Sequence, residues 1–351
     1  MTAATLSPGS SKASQPATQG YFAPGEEAPH ARTWMAWPST ASIYGGSSAY
    51  YEDVQETLGR LAAAIAEHEP VTMMAGLDYH DTVRRLCGPK VDVIDIETDD
   101  MWARDNGPIF LNNRDGGKAV LDFNFNGWGG KQSHERDALI SRAIATALGR
   151  PYYKAGVTGE GGGVEFDGDG TLILTDSCWV NDNRNPGLSQ SDIEAELKAC
   201  LGVEKVIWVP GVRGGEITDG HIDGSIRIVR PGLLMISGYP GDTSEWGQSL
   251  EESRRILKNT MDARGRSFDI VEIPHAVDVR SSHPQFFSSY ANYYVGNGAV
   301  FTPQFGDTPA DKRAMEGLGK LYPNRSIVAL NVDRIYENGG GIHCVTQQEP
   351  A

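Results

Sequence analysis

The sequence predicts a mixed α/β fold built from repeated units, and two observations carry that prediction. Short β-rich stretches and amphipathic helical stretches alternate along the whole chain. Glycine-rich turns that open onto short strands also recur, at Asn106-Gly-Pro, Gly159-Glu-Gly-Gly-Gly, Asp219-Gly-His-Ile-Asp-Gly, Gly296-Asn-Gly and Asn338-Gly-Gly-Gly. Their spacing is uneven, and no repeat is detectable by residue identity. If such units close around an axis, turns from distant parts of the chain converge at one end, and a site assembled from several segments follows.

In the helical element at 51–67, Val54, Leu58, Leu61, Ala62 and Ile65 recur at helical spacing and define one buried stripe. A second helix is expected after Ser191, where Ser191 and Glu194 form a capping-box pattern ahead of Leu197 and Leu201. Residues 248–264 and 310–321 carry further helical patterning. Strands are expected at 71–74, 91–96, 119–125, 171–174, 205–209, 225–229, 233–236 and 326–332, which are short stretches rich in strand-favouring residues. The first twenty residues are small, polar and proline-bearing, which predicts a disordered tail over 1–20. No later proline- or serine-rich stretch divides the rest, so 21–351 reads as a single domain.

With 46 acidic against 31 basic residues, the chain carries a net charge of -15, which argues against nucleic acid and favours a cationic small molecule. The four cysteines (Cys87, Cys178, Cys200, Cys344) are scattered singly, as in a reducing cytoplasm. No apolar run approaches the roughly 18 to 20 residues that span a bilayer, and no signal peptide is evident, so membrane insertion and secretion are not expected. A homo-oligomer is compatible with the sequence, which does not report assembly.

Cys344 is the cysteine best placed for chemistry. It lies in Asn338-Gly-Gly-Gly-Ile-His-Cys-Val-Thr-Gln-Gln, where three glycines let backbone approach a ligand closely and the polar residues that follow are unusual for a buried strand. Cys87 and Cys200 read as core or helix residues; Cys178 fits either role. His221 has Asp219 and Asp223 within two residues, and in an extended segment His221 and Asp223 would share a face, giving a proton carrier beside an acceptor for a cation. A turn aspartate or a His-x-Asp metal fragment are the other readings, and a metal site lacks a third ligand motif. Asp105 precedes an Asn-Gly-Pro turn, and Glu160 interrupts a glycine run.

Taken together, Met101-Trp-Ala-Arg-Asp-Asn-Gly-Pro, Gly159-Glu-Gly-Gly-Gly, Thr218-Asp-Gly-His-Ile-Asp-Gly and the Cys344 segment resemble the agmatine deiminase family, a guanidine-modifying group related to bacterial peptidylarginine deiminases. Trp34-Met-Ala-Trp-Pro, Asp169-Gly-Thr-Leu-Ile-Leu-Thr and Asn183-Arg-Asn-Pro extend the similarity over about 21–348. The resemblance implies a five-bladed α/β-propeller (pentein) of ββαβ-like units around a central active site. It implies Cys344 as nucleophile, His221 as general acid/base, and Asp105 and Asp223 as carboxylates gripping a guanidinium. Trp102 and Glu160 fall at substrate-lining positions, and Asp219 is counted with them.

The implied reaction is hydrolytic deimination of agmatine to N-carbamoylputrescine and ammonia through an amidino-thioether on Cys344, with no metal or organic cofactor. Arginine, peptidyl-arginine or a simple guanidine are alternative substrates, and a non-catalytic propeller binding a polyamine-like cation is the alternative outside enzymes. Two positions depart from the family's common pattern: Asp219-Gly-His-Ile-Asp-Gly replaces Asn-Glu-His-Val-Asp-Asn, and Glu165 stands where a histidine is common.

Overall fold

The computed structural model describes residues 15–351. Most of the expected tail, 1–14, lies outside the described residues. Its last part is ordered: Pro16–Gln19 forms a 3-10 turn, and the Gln15 amide donates to Glu196 Oε2 at 3.2 Å.

Among the described residues there are five separate sheets, and four repeat one connection. An antiparallel hairpin is followed by a helix that returns the chain to a third, parallel strand, as the handedness and spacing of such crossovers require. Ile109–Asn113 and Lys118–Asp122 form the first hairpin, and Ile140–Leu148 leads to Tyr152–Lys154. Val164–Phe166 and Thr171–Thr175 form the second, closed through Gln190–Leu201 by Lys205–Val209. Ile226–Arg230 and Leu233–Ile236 precede Glu245–Lys258 and Asp269–Glu272. Tyr294–Gly296 and Ala299–Pro303 precede Thr308–Leu321 and Ser326–Leu330. The fifth sheet joins the chain's two ends: Gln347–Pro350 pairs antiparallel with His30–Ala36, which runs parallel to Val71–Ala75 after the helix Ser48–Ile65.

Helix–sheet packing follows the sequence stripe. Val54, Leu58, Leu61, Ala62 and Ile65 are all completely buried, against strand residues such as Val71 and Met73. The capping box falls two residues earlier than expected: the Ser189 hydroxyl accepts from the Asp192 N–H, and the Asp192 carboxylate accepts from the Ser189 N–H. No helix of the described residues is long and apolar enough to cross a membrane.

The consequence for the site lies in what precedes each unit's first strand. Asp105, Glu160, His221 with Asp223, and Cys344 each stand within five residues of the start of such a strand. Gly296-Asn-Gly, expected to be the fourth turn of this kind, is instead the tip of a hairpin. The equivalent segment of the fourth unit is Ser289-Tyr-Ala-Asn292, ahead of Tyr294, and it holds no glycine.

Candidate active site

Three of the lead-in segments, those of Asp105, Glu160 and His221 with Asp223, meet at Gly162, and those of Asn292 and Cys344 join them at Asp223. A Cβ built on this glycine would lie 2.7 Å from His221 Nδ1, 2.8 Å from Asp105 Oδ1 and 3.2 Å from Asp223 Oδ2, so no side chain fits and three functional groups share the space. The Gly162 N–H donates to Asp105 Oδ1 at 3.0 Å. Gly340 leaves room for the Trp102 ring, whose Nε1 donates to Asp100 Oδ2 at 3.0 Å.

His221 caps the 3-10 turn Ile222–Gly224, so the shared strand face expected from its spacing with Asp223 does not form. The turn brings both groups to the site by a different route. The His221 N–H donates to Thr218 Oγ1 at 3.1 Å, and Gly220's carbonyl accepts from Thr175 Oγ1 at 2.7 Å. His221 Nε2 lies 3.1 Å from Glu160 Oε2, and Nδ1 lies 3.7 Å from Asp105 Oδ1. Burial alone would push the imidazole down, but the Asp105 and Glu160 carboxylates beside it lift it to about 9.

Asp105 sits in the single helical turn Ala103–Asn106, and Trp128 Nε1 donates to its Oδ2 at 2.9 Å. Burial lifts its carboxyl to about 6; His221 opposes the shift, while Asp223 and Glu160 add to it. Asp223 is equally enclosed, yet it is held below the ordinary carboxylate range. Burial would raise it, and the hydrogen bond and charge of His343, followed by His221 and Arg227, outweigh that effect.

Cys344 Sγ lies 3.7 Å from Asp223 Oδ2 and 3.2 Å from Asn292 Nδ2, and the Cys344 N–H donates to Asn292 Oδ1 at 3.3 Å. The Cys344 carbonyl accepts from the Arg104 N–H at 3.0 Å, joining the thiol's segment to that of Asp105. Burial pushes the thiol well above its ordinary value, and the charges of Asp223 and Asp105 add to this. Cys87 is pushed up to about 12 by burial, and Cys178 to about 12 by burial, with Arg184 opposing the shift and Glu160 and Glu216 adding to it. Geometry therefore separates these three thiols where acidity does not.

Glu160 is buried and held below its ordinary value: burial would raise it, but the His221 hydrogen bond and Arg184 dominate. Arg184 Nε meets both Glu160 oxygens, at 2.9 and 3.0 Å, and its Nη1 meets Asp219 Oδ2 at 2.8 Å. Asp219 is thereby committed. Its carboxylate also accepts from Lys131 Nζ at 2.7 Å, Asn183 Nδ2 at 3.1 Å and the Gly214 N–H at 2.8 Å. Asp219, expected among the substrate contacts, holds Arg184 against Glu160. Glu165, the unusual residue of its motif, binds Arg227 Nε at 2.7 Å.

Residues that sequence reasoning missed are Asn292, His343, Glu26 and Trp128. His343 Nδ1 and Nε2 lie 2.7 Å from Asp223 Oδ2 and 2.7 Å from Glu26 Oε2. Trp128 had a local signal, since it stands among three glycines in a left-handed conformation at φ 56°.

A profile of the Porphyromonas-type peptidyl-arginine deiminase family matches residues 22–350. The chain is 35% identical to an agmatine deiminase of Medicago truncatula over 96% of this chain and 98% of the relative. It is 34% identical to an agmatine deiminase of Stutzerimonas stutzeri, again over 96% and 98%. Its fold is similar to that of the agmatine deiminase of Enterococcus faecalis, with a TM-score of 0.88, 29% identity and coverage of 97% and 98%. Matched along nearly its whole length, the chain belongs to the Porphyromonas-type peptidyl-arginine deiminase family, among its agmatine deiminase relatives.

Proposed function

We propose that the chain hydrolyses agmatine to N-carbamoylputrescine and ammonia, with the five units forming the blades of one propeller domain, 21–351, around the site. The observation that carries this reading is the convergence of His221, Asp105 and Asp223 at Gly162, with the Cys344 thiol 3.7 Å from Asp223.

Asp105 and Asp223 grip the planar edge of a guanidinium. Among the described residues every hydrogen bond to Asp223 falls on Oδ2, which leaves Oδ1 for a ligand. The arriving cation offsets the two carboxylates that hold the thiol protonated, so substrate binding itself favours the Cys344 thiolate. The thiolate attacks the central carbon, and the tetrahedral adduct expels one nitrogen as the His221 imidazolium protonates it to ammonia. An amidino-thioether remains. Neutral His221 then takes a proton from water, whose oxygen adds to the same carbon; the C–S bond breaks, and the ureido product leaves with Cys344 restored. Glu160 holds His221 by its Nε2, and the amide of Asn292 keeps the sulfur in place.

Electrostatics around the site support a substrate without a carboxylate. Arg184 is spent on Glu160 and Asp219, Arg227 on Glu165 and Glu26, Arg104 on Gln348, and Lys131 on Asp219. A free arginine substrate would bring an α-carboxylate with no unengaged cation among these four to meet it. The test is a panel of agmatine, arginine, a peptidyl-arginine and simple guanidines with ammonia and ureido product measured for each. Agmatine should give the largest kcat/KM, and preferred turnover of arginine would overturn the assignment.

A further inference from the structure

His343, the residue before the nucleophilic thiol, has a side chain only 1% exposed. Both ring nitrogens face carboxylates, Nδ1 at 2.7 Å from Asp223 and Nε2 at 2.7 Å from Glu26. An ionised carboxylate only accepts hydrogen bonds, so the ring is held between two acceptors, one at each nitrogen. Beyond Glu26 the alternation of charge continues inward. Glu26 Oε2 takes Arg227 Nη2 at 2.9 Å, and Arg227 Nε lies on Glu165 Oε1 at 2.7 Å. Glu26 Oε1 is anchored by the Val295 N–H at 3.0 Å. The Glu26 carboxyl is held well below its ordinary value, since Arg227, His343 and Arg104 together outweigh its burial.

We infer that His343 is a positioning residue for deimination: it fixes the Asp223 carboxylate in orientation and in its charged form, and Glu26 is the counter-charge that keeps His343 in that role. The inference rests on reading Asp223 as a guanidinium grip. A histidine that merely fills the core would need neither carboxylate. Here two carboxylates, 197 residues apart along the chain from Glu26 to Asp223, are bridged by one ring.

Two substitutions separate the ends of that bridge. His343→Asn keeps an amide donor near the position of Nδ1, toward Asp223, whereas His343→Gln keeps one near Nε2, toward Glu26; neither bridges both carboxylates. With agmatine, KM should rise about tenfold in His343→Asn, which keeps a donor toward Asp223, and about a hundredfold in His343→Gln, which loses it, with smaller losses in kcat, the usual size of a hydrogen bond to a charged group. Glu26→Gln should raise KM a few-fold, because the contact between His343 and Asp223 survives.

A second readout does not need turnover: alkylation of Cys344 by a cationic haloacetamidine against neutral iodoacetamide. Wild type should prefer the amidinium reagent, and the preference should shrink in the same order as KM grows. The inference is overturned if the Asn and Gln variants lose equally with KM unchanged, or if the Gln variant keeps KM and reagent preference within about twofold. Should neither His343 variant fold, an unchanged KM in Glu26→Gln overturns it. Wild type that prefers the amidinium yet leaves agmatine untouched would remove the agmatine reading alone, while the reagent ratios still decide the role of His343.

Discussion

Asp105 and Asp223 both face His221, and both are almost wholly buried, at 5% and 2% exposure, yet their carboxyls are driven in opposite directions. The partners explain the divergence. Asp105 accepts from neutral donors, Trp128 Nε1 and the Gly162 N–H, and its lift to about 6 is reinforced by the anions Asp223 and Glu160. Asp223 has the same burial but is backed by His343, with Arg227 beyond. One carboxyl is therefore held toward its charged form, and the other is lifted to about 6. Burial sets the cost of a charge, while the sign of the neighbours decides whether that cost is met.

The largest effect expected is from Cys344→Ser, which should reduce kcat by roughly a thousandfold or more, since a hydroxyl is hardly ionised at neutral pH and the covalent step is lost. This variant sharpens the comparison because both aspartates remain in place without turnover. Agmatine affinity measured by calorimetry in Cys344→Ser then reports the grip alone, and near-normal turnover would remove the covalent mechanism.

Next in size come Asp223→Asn and Asp105→Asn, each expected to cost about 2 to 5 kcal/mol in kcat/KM, the usual range for truncating one partner of a buried charge pair. Because both hold one planar group, the double variant should lose clearly less than the sum of the single losses. Fully additive losses would show that the two do not share a guanidinium. Wild-type kinetics in either single variant would remove that residue from the site.

A smaller effect is the pH dependence of kcat/KM, which reports the free enzyme. Activity should fall as pH drops through about 6, where Asp105 becomes neutral, and again as pH rises through about 9, where His221 loses its proton. Glu160→Gln removes one of the charges that lift His221, so its alkaline limb should move down by about one unit. An alkaline limb left in place would show that Glu160 does not set the proton affinity of His221.

Most of the elements could be read from the sequence because their signals are local. The stripe from Val54 to Ile65 forms the helix Ser48–Ile65, the strand Lys205–Val209 falls where β-branched residues concentrate, and Leu233–Ile236 is a short apolar run. Asp105, Glu160, His221, Asp223 and Cys344 were legible because each lies in a short motif beside glycine. Asn292 was not: its segment is the one lead-in without glycine, and the more conspicuous Gly296-Asn-Gly nearby is only a hairpin tip. His343 stands in plain view beside Cys344, but what gives it meaning is Glu26, 317 residues away. Periodicity and motif spacing carry no information about such a pair. The strand reading of His221 and Asp223 failed for a related reason. Alternation assumes an extended backbone, and Glu216 accepting from the Thr218 and Gly220 N–H groups folds this segment into a turn instead.

The smallest predicted effect is on stability, and it carries opposite signs at the two aspartates. A group whose folded-state pKa is raised makes the folded state hold its proton more tightly, so its favourable contribution is full below the unfolded value and is lost as pH rises through the folded one. For Asp105 the window runs from 3.8 to about 6, and above it the ionised carboxylate costs the fold about 3 kcal/mol. Asp105→Asn relieves that cost but turns an amide toward the Trp128 N–H, which takes back roughly 2 kcal/mol. The net expectation at pH 8 is a gain of about 1 kcal/mol, a rise in Tm of roughly 1 to 3 °C. The gain should give way to a small loss when melting is repeated below about pH 3, where Asp105 is protonated in both states and only the lost hydrogen bond remains. For Asp223 the sign reverses: its lowered pKa contributes stability above the unfolded value, and that stability is lost as pH falls through the folded one. Asp223→Asn should therefore lower Tm at pH 8, as it strands the His343 ring beside a neutral amide. Thermal melts of both variants at pH 8, alongside their kinetics, would show Asp105→Asn more stable and less active, and Asp223→Asn worse on both counts. A drop in Tm for both would mean that Asp105 is held by its hydrogen bonds more strongly than it is strained by its charge, and the contrast between the two carboxylates would then rest on catalysis alone.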